Sequence, residues 1–247
     1  MASPDLKPPR VRYPESDGTP MGETELHRDL LIDLIVSIHQ RFLDDPGVYA
    51  SGNMFLYFEE GSPEMVVCPD FFVVRGVPKK QRRVYKLWEE KKAPELVIEL
   101  TSRATHLEDL GKKRAIYEQL GVEEYFIFDP EGIRFDPPFQ GFRRKGQLFE
   151  PLREVRVVEG ARVFLSSVLG LELHGGGTSL RWVDPATGEP LAVPREAYAA
   201  AAAERQRAEA EKHRAEGEKL RAEAAEAENA RLRDEIARLK GRPHGGD

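Results

Sequence analysis

The order of apolar and polar positions divides the chain into a mixed α/β stretch and a charged helical tail. Leu26, Leu30, Leu31, Leu34, Ile35, Ile38 and Phe42 recur at intervals of three and four, the spacing of one helix face. They predict an amphipathic helix over residues 24–44, stopped by Pro46-Gly47. β-formers follow, first Val48-Tyr49 and then Met54-Phe55-Leu56-Tyr57-Phe58, with Ser51-Gly52-Asn53 as a turn or bulge between them. Residues 66–74 read as a further strand, interrupted by Pro69, which marks an edge, a strand end or a bulge. Leu96-Val97-Ile98-Glu99-Leu100 is a short continuous apolar run, the pattern of a strand covered on both faces, and Glu99 stands inside it.

Residues 107–120 read as a helix with Leu107, Leu110, Ala115, Ile116 and Leu120 as its apolar set and Gly121 as its C-terminal cap. Tyr125-Phe126-Ile127-Phe128 is the next apolar strand, closed by Asp129-Pro130. Strand, helix and strand in direct succession predict a crossover unit with parallel neighbours. Between residues 131 and 193, short β-like stretches (155–158, 180–183) alternate with turns such as Asp184-Pro185-Ala186-Thr187-Gly188. Gly175-Gly176-Gly177 lacks the Lys-Ser/Thr of a phosphate-binding loop and reads as a flexible turn.

The two ends differ from this middle. Residues 1–21 carry Pro4, Pro8, Pro9, Pro14 and Pro20 and few large apolar side chains, which predicts an extended N-terminal arm. Residues 196–240 are dominated by Ala, Glu, Arg and Lys, have no proline and a single glycine, Gly217, and predict one long helix. Asn229 and Ile236 at the first core position of a heptad put Ala225, Leu232 and Leu239 at the second. That is a short coiled coil, in which the asparagine favours a dimer, or else a lone solvated helix. The domain organisation expected is an extended arm (1–21), an α/β domain (22–195), a charged helix (196–240) and a disordered tail (241–247).

A length of 247 residues allows one substantial core plus an appendage. The absence of a basic-then-apolar leader after Met1 and of any apolar run of about 20 residues points to a cytoplasmic protein. The lone Cys68 fits that compartment, because it has no intramolecular partner for a disulfide. The net charge of −6 argues against a globally basic nucleic-acid binder. Local basic runs remain, Lys79-Lys80-Gln81-Arg82-Arg83 and Arg143-Arg144-Lys145, and each is either a phosphate-contacting patch or a solvated face.

Glu99 is the position that demands chemistry. An ionised carboxylate in a buried strand is unfavourable unless it is paired with a cation. It has two choices, an arginine partner, or a metal shared with Asp70, which follows Pro69 at a strand break. Two carboxylates at adjacent strand ends form an oxygen site suited to Mg²⁺. Lys113 stands four residues after Asp109, which is either an exposed ion pair or a lysine aimed at the metal site. Lys112 competes for that role from about 100° further round the helix. Cys68 reads as a core residue, and His106, His174, His213 and His244 show no metal-ligand spacing.

Pro69-Asp70, Val97-Ile98-Glu99-Leu100-Thr101-Ser102, Asp109…Lys113…Tyr117, Gly121-Val122-Glu123-Glu124-Tyr125 and Phe128-Asp129-Pro130 together resemble the Uma-two family of restriction endonuclease-like proteins, within the PD-(D/E)XK nuclease superfamily. Thr24-Glu25-Leu26-His27-Arg28-Asp29, Tyr85-Lys86-Leu87-Trp88-Glu89-Glu90 and the Asp184–Glu189 turn are similar to it as well. The resemblance covers residues 22–195. It implies an α/β fold with a restriction-endonuclease-like mixed β-sheet flanked by helices, and Mg²⁺- or Mn²⁺-dependent cleavage of DNA phosphodiesters. Asp70 corresponds to the aspartate of the motif and Glu99 to its second acid, with the Leu100 carbonyl as a further metal ligand. Glu25 or His27 would contribute from the first helix. The motif's lysine belongs two residues after the acid, where this chain has Thr101, and Lys113 is the candidate replacement.

Two functions follow. One is a Mg²⁺-dependent DNA endonuclease acting as a homodimer, whose two sites suit a two-strand cut. The other is a catalytically weak, nuclease-fold nucleic-acid-binding or assembly module that oligomerises through its C-terminal helix.

Overall fold

The apolar run that contains Glu99 is an interior strand of a six-stranded mixed sheet. In the computed structural model, residues 11–16, 18, 24–101 and 109–240 are described, and the statements below concern those. The chain divides into two units, Met1–Pro194 and Arg195–Asp247.

In the first unit, α1 (Glu25–Arg41) starts at Thr24, whose hydroxyl accepts the His27 amide at 3.2 Å. β1 (Val48–Ser51), β2 (Leu56–Tyr57), β3 (Val66–Val67), β4 (Phe71–Arg75), β5 (Tyr85–Lys86) and the single turn α2 (Leu87–Glu90) follow. Then come β6 (Leu96–Leu100), a π-helical turn (Asp109–Lys113), α3 (Arg114–Leu120), β7 (Glu124–Phe128), β8 (Phe139–Lys145) and β9 (Leu148–Pro151). The large sheet runs β1-β4-β6-β7-β8-β9, and only β6 and β7 among its neighbours are parallel. Gly121 closes α3 at φ 78°, a left-handed cap where a side chain would be strained.

Alternation along the strands explains why this sheet is apolar on both sides. Phe71, Val73, Leu96, Ile98, Leu100, Phe126 and Phe128 face a core with Leu30, Leu34 and Ile38 of α1. Phe72, Val74, Val97, Tyr125 and Ile127 face a second core that holds Tyr117 of α3. A four-stranded antiparallel sheet, β10 (Arg156–Val158), β11 (Ala161–Ser166), β12 (Leu171–Gly176) and β13 (Ser179–Val183), contributes Phe164, Leu173 and Trp182 to the first core. The third sheet, β3-β2-β5, supplies Leu56, Val67 and Tyr85 to the second.

Several expectations change in detail. The stretch 66–74 is two strands in different sheets, because Pro69 ends β3 and β4 begins at Phe71. Gly175 and Gly176 are not a flexible turn but lie inside β12, where a Cβ would collide with Phe139 and Ala161 respectively; only Gly177 turns, at φ 54°. The helix expected over 107–120 is a π turn followed by α3, and residues 102–108, Leu107 and His106 included, lie outside the described residues. The side chains of Asp109 and Leu110, and with them the expected Asp109–Lys113 pair, also lie outside them. So do residues 1–10 of the arm and the tail 241–247. The described part of the arm is anchored: Tyr13 meets the rings of Tyr57 and Trp88 at 5.0 Å each, and Pro14 accepts the Tyr57 hydroxyl at 2.6 Å.

The second unit is carried by one helix, α4 (Pro194–Lys240, 47 residues). No described helix is long and apolar enough to cross a membrane.

Candidate active site

Antiparallel pairing of β4 with β6 sets Phe71 opposite Ile98, so Asp70 falls opposite Glu99 at the strand end. Both side chains emerge on the α3 face, in phase with Phe72 and Val97. The Asp70 amide points to Glu99 Oε2 at 3.4 Å, and Asp70 Oδ2 accepts the Leu100 amide at 2.7 Å. Gly52 has a local reason here, since a Cβ at this position would run into the Asp70 carbonyl. The Asn53 amide, 3.0 Å from the Pro69 carbonyl, ties the same turn to the strand break.

Lys113 reaches this pair from the π turn. Its Nζ lies 2.8 Å from Glu99 Oε2, with the lysine side chain 14% exposed and the glutamate fully buried. Lys112 is exposed, so the helix directs the second lysine and not the first at the carboxylates. π-helical turns inside helices recur at functional positions because they re-aim side chains. The other Glu99 oxygen, Oε1, accepts the Tyr117 hydroxyl at 2.5 Å. Lys113 and Tyr117, one turn apart, thereby grip both oxygens of one carboxylate.

From α1, His27 Nε2 stands 3.5 Å from Asp70 Oδ1. Glu25, the alternative contributor, is not brought to the site: its side chain is 84% exposed and faces Arg28 at 3.9 Å. Burial pushes the Asp70 carboxyl upward, but the His27 imidazole, the Lys113 ammonium and the Leu100 amide outweigh it and hold the group below the usual carboxylate range. Burial, followed by the charge of Glu99, pushes the Tyr117 phenol well above its ordinary value, so it serves Glu99 as a neutral donor. Thr101, where the motif lysine would stand, is 2% exposed, and its hydroxyl has no hydrogen-bond partner among the described residues.

The donors suit a hard divalent cation. Asp70 and Glu99 offer only oxygen, and among the described residues no three His, Cys, Asp or Glu converge on one point. Two carboxylates are too few for an all-protein calcium cage or a closed zinc site. They match Mg²⁺, which keeps several waters and takes one or two carboxylates beside phosphate oxygens.

The two basic runs are largely internally paired. Arg82 is bidentate to Glu90 at 2.9 Å through both Nε and Nη2 and stacks 4.1 Å over Tyr49, while Lys80 holds Glu90 at 3.0 Å and Arg83 holds Glu15 at 2.7 Å. Arg143 binds Glu124 at 2.8 Å and Lys145 binds Glu150 at 3.2 Å. Glu124, fully buried, also accepts from the hydroxyls of Ser166 and Ser167 at 2.5 and 2.7 Å, joining β7 to the four-stranded sheet.

Tyr117 is the residue whose contact sequence reasoning did not assign. Its spacing of four from Lys113 was visible, but an aromatic residue on a helix is ordinarily core, and only the contact with Glu99 gives it a polar task.

No curated protein matches the chain significantly. Among solved structures, a protein whose title reads "putative nuclease belonging to DUF820", from Anabaena variabilis ATCC 29413, is similar at 16% identity and a TM-score of 0.40, over 55% of this chain and 74% of that one. The profile of the Uma2 family, described as "Putative restriction endonuclease", matches residues 2–173. With that match spanning well over half its length, the chain belongs to the Uma2 family.

Proposed function

We propose that this protein is a Mg²⁺- or Mn²⁺-dependent endonuclease that hydrolyses DNA phosphodiester bonds at the Asp70–Glu99–Lys113 site. The observation that carries the reading is the buried carboxylate of Glu99, held by Lys113 at 2.8 Å beside Asp70. Family membership supports the nuclease class.

Asp70, Glu99 and the carbonyl of Leu100 would hold the cation. When bound, it supplies positive charge at a phosphoryl oxygen and a water of lowered pKa. The chain's own groups do the rest. Lys113 brings a fixed ammonium to the carboxylates, where it orients a water or neutralises charge on the phosphate. Tyr117 keeps Glu99 in one rotamer by occupying its inner oxygen. His27 steadies Asp70 from α1, with Nε2 3.5 Å from Asp70 Oδ1. Thr101 leaves the motif position without charge, so Lys113 is the source of the lysine function.

The test is nicking of supercoiled plasmid with Mg²⁺ or Mn²⁺ by the wild type and by Asp70→Ala and Glu99→Ala. Metal-dependent nicking lost in both variants is the expected result. Equal degradation by all three proteins would rule the assignment out.

A further inference from the structure

Apart from Pro194 and Gly217, which are half-buried, the described residues of α4 are exposed, Leu232 at 48% and Ile236 at 50% among them. These two large apolar groups fall one turn apart on the face that also carries Ala222, Ala225 and Asn229. We propose that residues 221–239 pair with the same segment of a second copy as a parallel, in-register, two-stranded coiled coil.

Three features of the helix select this partner and this direction. The first is the flanking charge. With Asn229 and Ile236 at the a positions, Arg221 and Glu228 occupy g, and Glu226 and Arg233 occupy e. In a parallel pair each g residue faces the e residue five positions on in the other chain. Arg221 then meets Glu226 of the partner subunit, and Glu228 meets Arg233 of the partner subunit. The twofold axis repeats both attractions. Running the same segments antiparallel would set Glu228 against Glu235 of the partner subunit, two like charges.

The second feature is Asn229. In register and parallel, its amide faces the identical amide and both can hydrogen-bond. Antiparallel, it would face Leu232 of the partner subunit and bury an unsatisfied amide. The third is where complementarity stops. Upstream, Glu204, Glu211 and Glu218 take the d positions, and Arg214 would face Lys219 of the partner subunit. The seam therefore begins near Arg221 and leaves the first half of α4 solvated. The side chain of Leu239, the next d position, lies outside the described residues.

The pairing does not depend on nuclease chemistry, and its test uses the full chain. Sedimentation equilibrium at micromolar concentration should give a dimer. Ile236→Lys should return it to monomer with its circular dichroism outside the tail unchanged. Glu228→Arg, which sets arginine against Arg233 of the partner subunit, should weaken the dimer at least threefold, and adding Arg233→Glu should restore it. A monomeric wild type, or a dimer of unchanged affinity in Ile236→Lys, would overturn the proposal. So would a Glu228→Arg variant that dimerises more tightly, the outcome required by antiparallel pairing.

Discussion

Lys113 Nζ sits 2.8 Å from Glu99 Oε2, so a carboxylate sealed inside the central sheet is neutralised from a neighbouring helix and not from its own strand. Position 101, where the motif would place a lysine, holds Thr101, and in the proposed mechanism the lysine comes from twelve residues further on. Folding and the proposed chemistry are thereby coupled through a single ion pair.

Lys113→Ala should therefore affect both. Removing one partner of a buried pair typically destabilises by about 3–5 kcal/mol, and the Tyr117 hydroxyl left on Glu99 places this case near the lower end. Added Mg²⁺ should raise the melting temperature of the variant more than that of the wild type, because a cation beside Glu99 substitutes for the missing charge. Thermal melts with and without Mg²⁺ decide it; equal shifts would separate Lys113 from the metal site. In the nicking assay the variant should lose at least about 100-fold in rate, the scale of one preorganised charge contact.

Tyr117→Phe deletes one oxygen and leaves Glu99 Oε1 without its 2.5 Å donor. Loss of this hydrogen bond to a buried carboxylate should lower stability by about 1–3 kcal/mol, readable in urea unfolding. Mn²⁺ affinity, followed by electron paramagnetic resonance, should change as well, since the glutamate is free to turn. A variant with wild-type stability and wild-type Mn²⁺ binding would show the contact to be dispensable.

Gly52→Ala should disturb the site from outside it. The added methyl meets the Asp70 carbonyl and comes within 2.8 Å of Leu31 Cδ1. Overpacking of this kind costs about 1–3 kcal/mol. Because the backbone of Asp70 must move to relieve it, nicking should fall more steeply than stability does. Unchanged nicking at reduced stability would mean that the turn does not set the position of Asp70.

Acid should unlock the Arg82–Glu90 pair. The Arg82 hydrogen bonds, opposed by burial, hold the Glu90 carboxyl down at about 2, from an ordinary value of 4.5. A carboxyl depressed in the folded state adds stability above its unfolded pKa, and that stability is lost as pH falls through the folded value. The difference in unfolding free energy between wild type and Glu90→Gln should hold steady above pH 4.5, on the order of 2 kcal/mol, and shrink as pH falls from there toward 2. A difference that did not vary with pH would assign the Glu90 contribution to packing.

Much of the frame was legible along the chain. The three-and-four spacing from Leu26 to Phe42 specified α1, and unbroken apolar runs marked β6 and β7 as strands covered on both sides. Strand, helix and strand in succession specified their parallel pairing, because a parallel neighbour needs a crossover. Glu99 was conspicuous as a charge inside such a run. Asp70 was less so, because proline followed by aspartate also reads as a plain turn.

Other relationships depended on three-dimensional geometry. Lys112 and Lys113 are equivalent as letters, and only the π turn decides which of them reaches Glu99. Tyr117 reads as a core aromatic until its hydroxyl is found on a buried carboxylate. The basic run at residues 79–83 reads as either a phosphate-contacting patch or a solvated face, yet Glu90 and Glu15, distant or unremarkable in sequence, take up three of its charges. Periodicity reports which face a residue occupies, and that is enough to build strands and helices. Partnership depends on which face of another element lies opposite, and this protein's charges were assigned only when β4, β6 and α3 met.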